Sequence, residues 1–232
     1  MAGGALEAYL KAFPFDRFEV VEIPDAGKFY VDDNPGLVKQ ALREGKAWSP
    51  QIIEAFREHV EPGTTAIDVG AHIGSLTVPL ADLVGPEGKV YAFEPQRLVY
   101  RELYHNLKLN GFAHATPLLL AASSEAGFLE MDPPFVDDGW ARIGKGGERV
   151  EARTIDSFGF TNVSLIKIDV EGHELEVLNG ATETILSSHP VLIIEMGKVT
   201  RAVIGPMLVE QGYRLEKLTK DWVDYIAVYD PP

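Results

Sequence analysis

The sequence predicts a doubly wound α/β sheet of seven strands, mostly parallel, that finishes in an antiparallel hairpin. Three observations carry this expectation. From Thr64 onward short apolar runs alternate with helical patterns, the rhythm of strand, crossover helix and parallel strand. One of the runs, Leu165 to Val170, empties into Glu171-Gly172-His173-Glu174, and a strand end facing a helix start is where open α/β sheets bind ligands. The last two runs, Tyr213 to Leu218 and Tyr225 to Tyr229, are separated by too few residues for a crossover helix, so they must lie antiparallel.

Composition sets the outer limits. A chain of 232 residues with 46% hydrophobic content can bury one large core. We expect one domain over residues 63–232, preceded by an N-terminal extension or cap over residues 1–62. The balance of 21 basic against 35 acidic residues, a formal net charge of -14, argues against nucleic acid or an anionic membrane as principal partner. The absence of cysteine excludes disulfides and thiolate metal sites. No apolar run approaches the roughly 20 residues that span a bilayer, and the N-terminus lacks the basic and apolar regions of a signal peptide. A cytoplasmic protein is expected, of an oligomeric state the sequence does not reveal.

In chain order, Leu6 to Phe13 reads as a short helix. The runs Phe18 to Ile23 and Lys28 to Val31 flank the turn residues Pro24-Asp25-Ala26-Gly27 and predict a hairpin. Helices follow over Pro35 to Arg43 and Pro50 to His59, the second with Ser49 as N-cap and Pro50 at its first position. This segment either caps the substrate side of the sheet or packs on its edge. Thr65 to Val69 is the first strand of the main rhythm and ends in Gly70-Ala71-His72-Ile73-Gly74. A helix over Ser75 to Val84, a strand over Lys89 to Phe93, a helix over Gln96 to Leu109 and a strand over Thr116 to Leu120 come next.

The middle is less regular. Gly127 to Met131 and Arg149 to Ala152 read as a pair of edge strands around an insert whose Phe135 and Trp140 would be aromatic anchors of a substrate loop. The rhythm then resumes. Ile166, Ile168 and Val170 alternate with Lys167, Asp169 and Glu171, which places the three ionisable groups on one side of the strand. A single helix over His173 to Ser187, a buried strand over Val191 to Glu195 and a helix over Arg201 to Gln211, with Val203, Ile204, Met207 and Leu208 on its apolar face, lead to the terminal hairpin.

The ligand chemistry follows from the first two strand ends. A nicotinamide fingerprint requires Gly-x-Gly-x-x-Gly to bring backbone close to a pyrophosphate, and this chain has Gly70-x-x-x-Gly74 instead. S-adenosylmethionine has no pyrophosphate. It needs close backbone approach at its methionine end and one acid for the ribose hydroxyls, and Glu94 ends the second strand where that acid belongs. Loop, acid and terminal hairpin together favour a methyltransferase sheet over a nicotinamide oxidoreductase.

With these residues in hand a resemblance can be stated. Ala66 to Gly74, Phe93-Glu94-Pro95, and Ile166 to Glu174 with Leu178-Asn179-Gly180-Ala181 resemble the FkbM-type methyltransferases, over about residues 64 to 196. The resemblance implies a Rossmann-like class I methyltransferase fold, S-adenosylmethionine as cofactor, and O-methylation of a hydroxyl on a small molecule, often a sugar or secondary metabolite. It implies that Gly70, Ala71, Gly74, Glu94 and a residue near Ala122-Ser123 hold the cofactor; Asp68, His72, Pro95 and Asp169 complete the expected set. One departure stands out: the family usually has asparagine where this chain has His72. The imidazole either replaces the amide or faces the substrate, and a cofactor-binding module without catalysis stays open on that account.

A sulfonium methyl is already activated, so the site must align an acceptor hydroxyl and take its proton. His173 is the first choice of base, because imidazole titrates near neutral pH, with Glu171 or Asp169 as its orienting partner. Its place at a helix N-terminus should keep it neutral. Asp169 has an alternative role as acceptor for the ammonium of the cofactor, and Lys167 is expected to balance Glu195 or Asp68. Asp169, Glu171 and Glu195 are oxygen ligands suited to Mg²⁺, but their spacing does not demand it, and the histidines show no metal-binding pair. Metal-independent transfer is the expectation.

Overall fold

The computed structural model describes residues 3–132, 142–220 and 222–231. It begins with α1 (Gly3–Lys11), the hairpin β1 (Glu19–Ile23) and β2 (Gly27–Val31), then α2 (Leu37–Arg43) and α3 (Pro50–His59). The alternating part follows as β3 (Thr65–Val69), α4 (Thr77–Val84), β4 (Lys89–Phe93), α5 (Arg97–Leu109) and β5 (Ala115–Leu118). Three short strands, β6 (Ala121–Ala122), β7 (Gly127–Glu130) and β8 (Arg149–Arg153), precede β9 (Val163–Ile168), α6 (Glu174–Asn179), α7 (Thr182–Ser188) and β10 (Val191–Glu195). The described chain closes with α8 (Lys198–Glu210), β11 (Tyr213–Lys217) and β12 (Asp224–Tyr229). No helix among the described residues is long and apolar enough to cross a membrane.

The seven-stranded sheet has the order β11-β12-β10-β9-β3-β4-β5. Neighbours from β10 to β5 are parallel, and β12 runs antiparallel to both β10 and β11, so the terminal hairpin is as expected. Period-two alternation sends successive side chains to opposite layers. Ala66, Val90, Leu165 and Ile193 join one core with α3, α4 and α5. Ile67, Ile166, Ile168, Leu192 and Ile194 join the other with α6, α7 and α8. Burial of each such Leu or Ile side chain is worth about 1.5–3 kcal/mol. Phe29, Leu42 and Phe56 from the N-terminal segment lie in the first core, so that segment packs against the α4 and α5 side of the sheet. The expected edge pair is present too, with β7 antiparallel to β8, in a small sheet of order β6-β8-β7. Phe135 and Trp140 lie outside the described residues.

Several local expectations are corrected. The helix expected over His173 to Ser187 is two helices. Gly180 packs so closely on another segment that a Cβ there would sit 2.0 Å from the Ser123 carbonyl oxygen, which bends the chain away. The new helix start is then capped from a distance: the Asp156 carboxylate accepts from the N–H groups of Glu183 at 3.0 Å and Thr184 at 2.8 Å. Ser49 stands at the start of α3 with φ 45° and its hydroxyl makes no cap, the αL backbone having turned it away. Helix α8 begins earlier than expected, at Lys198, and Val203 is 53% exposed, because the buried stripe is Ile204 and Leu208. Helix α4 begins at Thr77, which leaves Pro79 in the first turn, where its missing N–H costs nothing.

Candidate active site

The site is assembled from loops that leave the C-terminal ends of β3, β4, β9 and β10. The loop after β3 turns through positive φ at Gly70 (79°), His72 (51°) and Gly74 (88°). Gly70 is the point of closest approach, since a Cβ there would lie 1.8 Å from the Asp169 carbonyl oxygen. That contact presses the loop after β3 onto the loop after β9 and leaves the backbone of Gly70 and Ala71 open to the cleft. His72 occupies the αL region, in which asparagine and histidine are both enriched. The departure from the family's asparagine is therefore compatible with the same backbone. The His72 N–H donates to Glu94 Oε2 at 3.0 Å.

Glu94 follows β4 and is 3% exposed. Its second oxygen, Oε1, accepts from the Gln96 N–H at 2.8 Å, so two backbone donors lock the carboxylate in one orientation. Burial pushes its pKa above the usual range, and the amides of Gln96 and His72 pull it back. Phe93, Pro95, Leu120, Ala121, Ala122, Met131 and Ile143 form an apolar wall beside it. An acid fixed at the edge of an apolar slot suits a nucleoside, with the ribose at the acid and the base in the slot.

Across the cleft lies a charged group. The register of β3 and β9 sets Asp68 beside Lys167. Lys167 Nζ is 3.2 Å from Asp68 Oδ1 and 3.7 Å from Asp169 Oδ2, and it donates to the Gly70 carbonyl at 2.8 Å. Desolvation would lower the pKa of this buried lysine, but the charges of Asp68 and Asp169 overcome it and hold the ammonium on. Lys167 thus balances Asp68, one of the two partners expected. Asp68 also accepts from the Thr77 hydroxyl at 2.6 Å, is fully buried and is not among the cleft-lining residues; it supports the loops from beneath. Gly74 and Ser123 likewise stand behind the cleft wall.

Lys167 and Asp169 do share a side, as the alternation suggested, but the strand stops at Ile168 and Glu171 arrives through a turn at φ 55°. One oxygen each from Asp169, Glu171 and Glu195 then fall within 4.8 Å of one another, a donor set that could hold a hard divalent cation. Burial, followed by the charges of Asp169 and Glu171, raises the pKa of Glu195 to about 9, so Glu195 carries a proton at neutral pH.

His173 is differently connected from the expectation. Its Nε2 lies 3.0 Å from Ser123 Oγ and its Nδ1 3.7 Å from Glu176, so neither Glu171 nor Asp169 orients it. The geometric reason is the turn at Glu171 and Gly172, which swings the imidazole toward β6 and away from the carboxylates. Its pKa is lowered, as expected, but by burial and against the pull of Glu176.

The cleft has a volume of about 330 Å³. It is also lined by Leu37, Val38 and Trp48 from the N-terminal segment and by Trp222, Val223 and Asp224 before and within β12. The rings of Trp48 and Trp222 meet edge to face, 5.9 Å apart. Neither was singled out from the sequence. The available signal was that two of only three tryptophans stand in polar loop contexts, Lys46-Ala47-Trp48-Ser49 and Lys220-Asp221-Trp222.

Sheet order, a glycine loop after the first central strand and a buried acid after the next define a class I S-adenosylmethionine-dependent methyltransferase fold. Solved structures agree. A methyltransferase FkbM from Methylobacillus flagellatus KT superposes with a TM-score of 0.57 at 18% identity, covering 97% of this chain and 58% of that one. An S-adenosylmethionine-dependent O-methyltransferase from Thermotoga maritima superposes with a TM-score of 0.53 at 14% identity, covering 92% of this chain and 78% of that one. In sequence, the hexuronic acid methyltransferase AglP of Haloferax volcanii is 29% identical over 149 residues, 61% of this chain and 60% of AglP. The methyltransferase FkbM domain model matches residues 68–226, and the chain belongs to that family. Its cofactor is S-adenosylmethionine.

Proposed function

We propose that this protein transfers a methyl group from S-adenosylmethionine to a hydroxyl of a small, hydroxylated acceptor. The observation that carries the reading is that one cleft is lined both by an apolar slot beside the fixed Glu94 carboxylate and by the cluster of Asp169, Glu171 and Glu195, together with Trp48 and Trp222. Backbone of Gly70 and Ala71, the Glu94 carboxylate, Pro95 and the wall at Leu120 to Ala122 would hold the cofactor, and Asp169, in the same cleft, would accept from its ammonium. S-adenosylmethionine supplies an activated methyl cation equivalent when bound.

The chain's own residues align the acceptor and receive its proton. The tryptophan pair offers an apolar face for a ring, and the carboxyl cluster offers both acceptors and, in protonated Glu195, a donor. The carboxylate of Glu171 or Asp169 would receive the proton of the acceptor hydroxyl, with the methyl carbon's bond to sulfur broken in exchange for its bond to oxygen and S-adenosylhomocysteine left as the other product. His173, held by Ser123, then orders the turn that carries Glu171. A second reading keeps His173 as the base, favoured by its burial-lowered pKa and its place in the cleft wall. We take transfer to be metal-independent; the Lys167 ammonium, 3.7 Å from Asp169 Oδ2, offsets part of the repulsion among the carboxylates.

The same cluster disfavours an anionic acceptor, so the hexuronic acid of AglP is not carried over to this chain. The acidic net charge disfavours nucleic acid. The test is formation of S-adenosylhomocysteine over a panel of neutral sugars, phenols, uronates and short RNA. Turnover on a neutral hydroxyl compound supports the reading; turnover confined to RNA or to amines overturns it.

A further inference from the structure

The N-terminal hairpin is fastened to α5 through two asparagines one helical turn apart. Asn110 accepts at Oδ1 from the Lys28 N–H at 2.9 Å and donates from Nδ2 to the Lys28 carbonyl at 2.7 Å, gripping the hairpin as a neighbouring strand would. Asn106 is fully buried and reaches further. Its Oδ1 accepts from the Tyr30 N–H in β2 at 2.8 Å, and its Nδ2 donates to the Ile73 carbonyl at 2.8 Å.

Ile73 sits between His72 and Gly74, the two positive-φ residues that close the loop after β3. Its side chain has no exposure, so the region is dry, and a carbonyl deprived of its donor there carries a desolvation penalty. The amide of Asn106 has a single productive orientation. Tyr30 supplies a donor, which requires the oxygen on that side, and this turns the NH₂ toward Ile73. The next residue back, His72, spends its N–H on Glu94. A chain of directional contacts therefore runs from the hairpin through Asn106 and the loop to the buried acid.

We infer that Asn106 is a positioning residue for the cofactor, and that β2 braces it. The N-terminal segment is on this account part of the cofactor site and not a detachable cap. Loss of the Ile73 bond lets the loop relax, which misaims the His72 N–H and the open backbone at Gly70 and Ala71. The inference rests on the assignment of this loop and Glu94 to the cofactor.

The experiment is calorimetric titration of the full chain with S-adenosylhomocysteine, with thermal melts of each variant. Asn106→Asp keeps the oxygen for Tyr30 and sets a second oxygen against the Ile73 carbonyl; Asn106→Ala removes both bonds, and Asn106→Ser is the smaller perturbation if either fails to fold. The folded Asn106 variants should bind at least about tenfold more weakly. Asn110→Ala cuts the Lys28 clamp and spares Ile73, so it should lower Tm and leave Kd within about twofold. Unchanged Kd in the Asn106 variants overturns the inference, as does an equal loss of affinity in Asn110→Ala at a matched Tm. Glu94→Ala in the same series separates the two levels: normal affinity there means that the cofactor assignment has failed, whereas weak binding there with normal binding in the Asn106 variants refutes the brace alone.

Discussion

Replacement of Glu94 by glutamine tests the cofactor end of the cleft with little change in volume. In the wild type, both carboxylate oxygens accept from backbone, His72 N–H at 3.0 Å and Gln96 N–H at 2.8 Å, and each keeps a lone pair for a ribose hydroxyl. Glutamine can satisfy only one of the two amides, because its NH₂ must face the other. It also loses the charge that strengthens the bonds to ribose, each worth about 1.5–3 kcal/mol. One ribose bond lost outright and one weakened, less the part that water restores, gives about 2–4 kcal/mol, or a Kd for S-adenosylhomocysteine about 30- to 1000-fold higher. Stability should move much less. The amide left opposite the NH₂ costs about 1–3 kcal/mol, but the variant no longer buries an acid whose charged form is disfavoured by desolvation. Calorimetry would read the affinity and a denaturant titration the stability. A Kd within threefold of wild type, with the fold intact, would refute the assignment of Glu94 to the ribose.

The remaining predictions concern the acceptor end. If the carboxylates take the proton, Glu171→Gln or Asp169→Asn should lower kcat by about 10²- to 10⁴-fold and His173→Ala by much less; the reverse ranking on a confirmed acceptor would return the base to His173. Trp222→Ala and Trp48→Ala should each raise the acceptor KM about tenfold with the Kd for S-adenosylhomocysteine unchanged, and an equal loss of cofactor affinity would count against an acceptor platform. Glu195 has a folded pKa raised to about 9 from 4.5, so between these values the native state holds a proton that the unfolded chain has released. Its stabilising contribution is complete below pH 4.5 and is lost as pH rises toward 9. Melts of the cofactor-free protein at pH 5.5 and 8.5 should therefore show a smaller fall in Tm for Glu195→Gln than for wild type; parallel falls would mean that Glu195 is ionised throughout.

Much of this protein is determined by local sequence. The short apolar runs Thr65 to Val69 and Val191 to Glu195, set apart by helical patterns, depend only on neighbouring side chains, so the strands, the parallel pairing of the central ones and the terminal hairpin could be read directly. The turn of the Gly70 loop and the place of Glu94 at a strand end are local as well. What tertiary structure alone decided are contacts whose partners are far apart in the chain. The break at Gly180 exists because the Ser123 backbone occupies the space a continuous helix would need. His173 is oriented by Ser123, fifty residues before it, so the acids beside it in sequence were the wrong guide. Trp48 and Trp222 come from opposite ends of the chain to one cleft mouth. The proton on Glu195 arises from burial against Asp169 and Glu171, and no residue type or spacing encodes a desolvation energy. Periodicity reports which face of an element is buried; which residue meets it there depends on how the layers close.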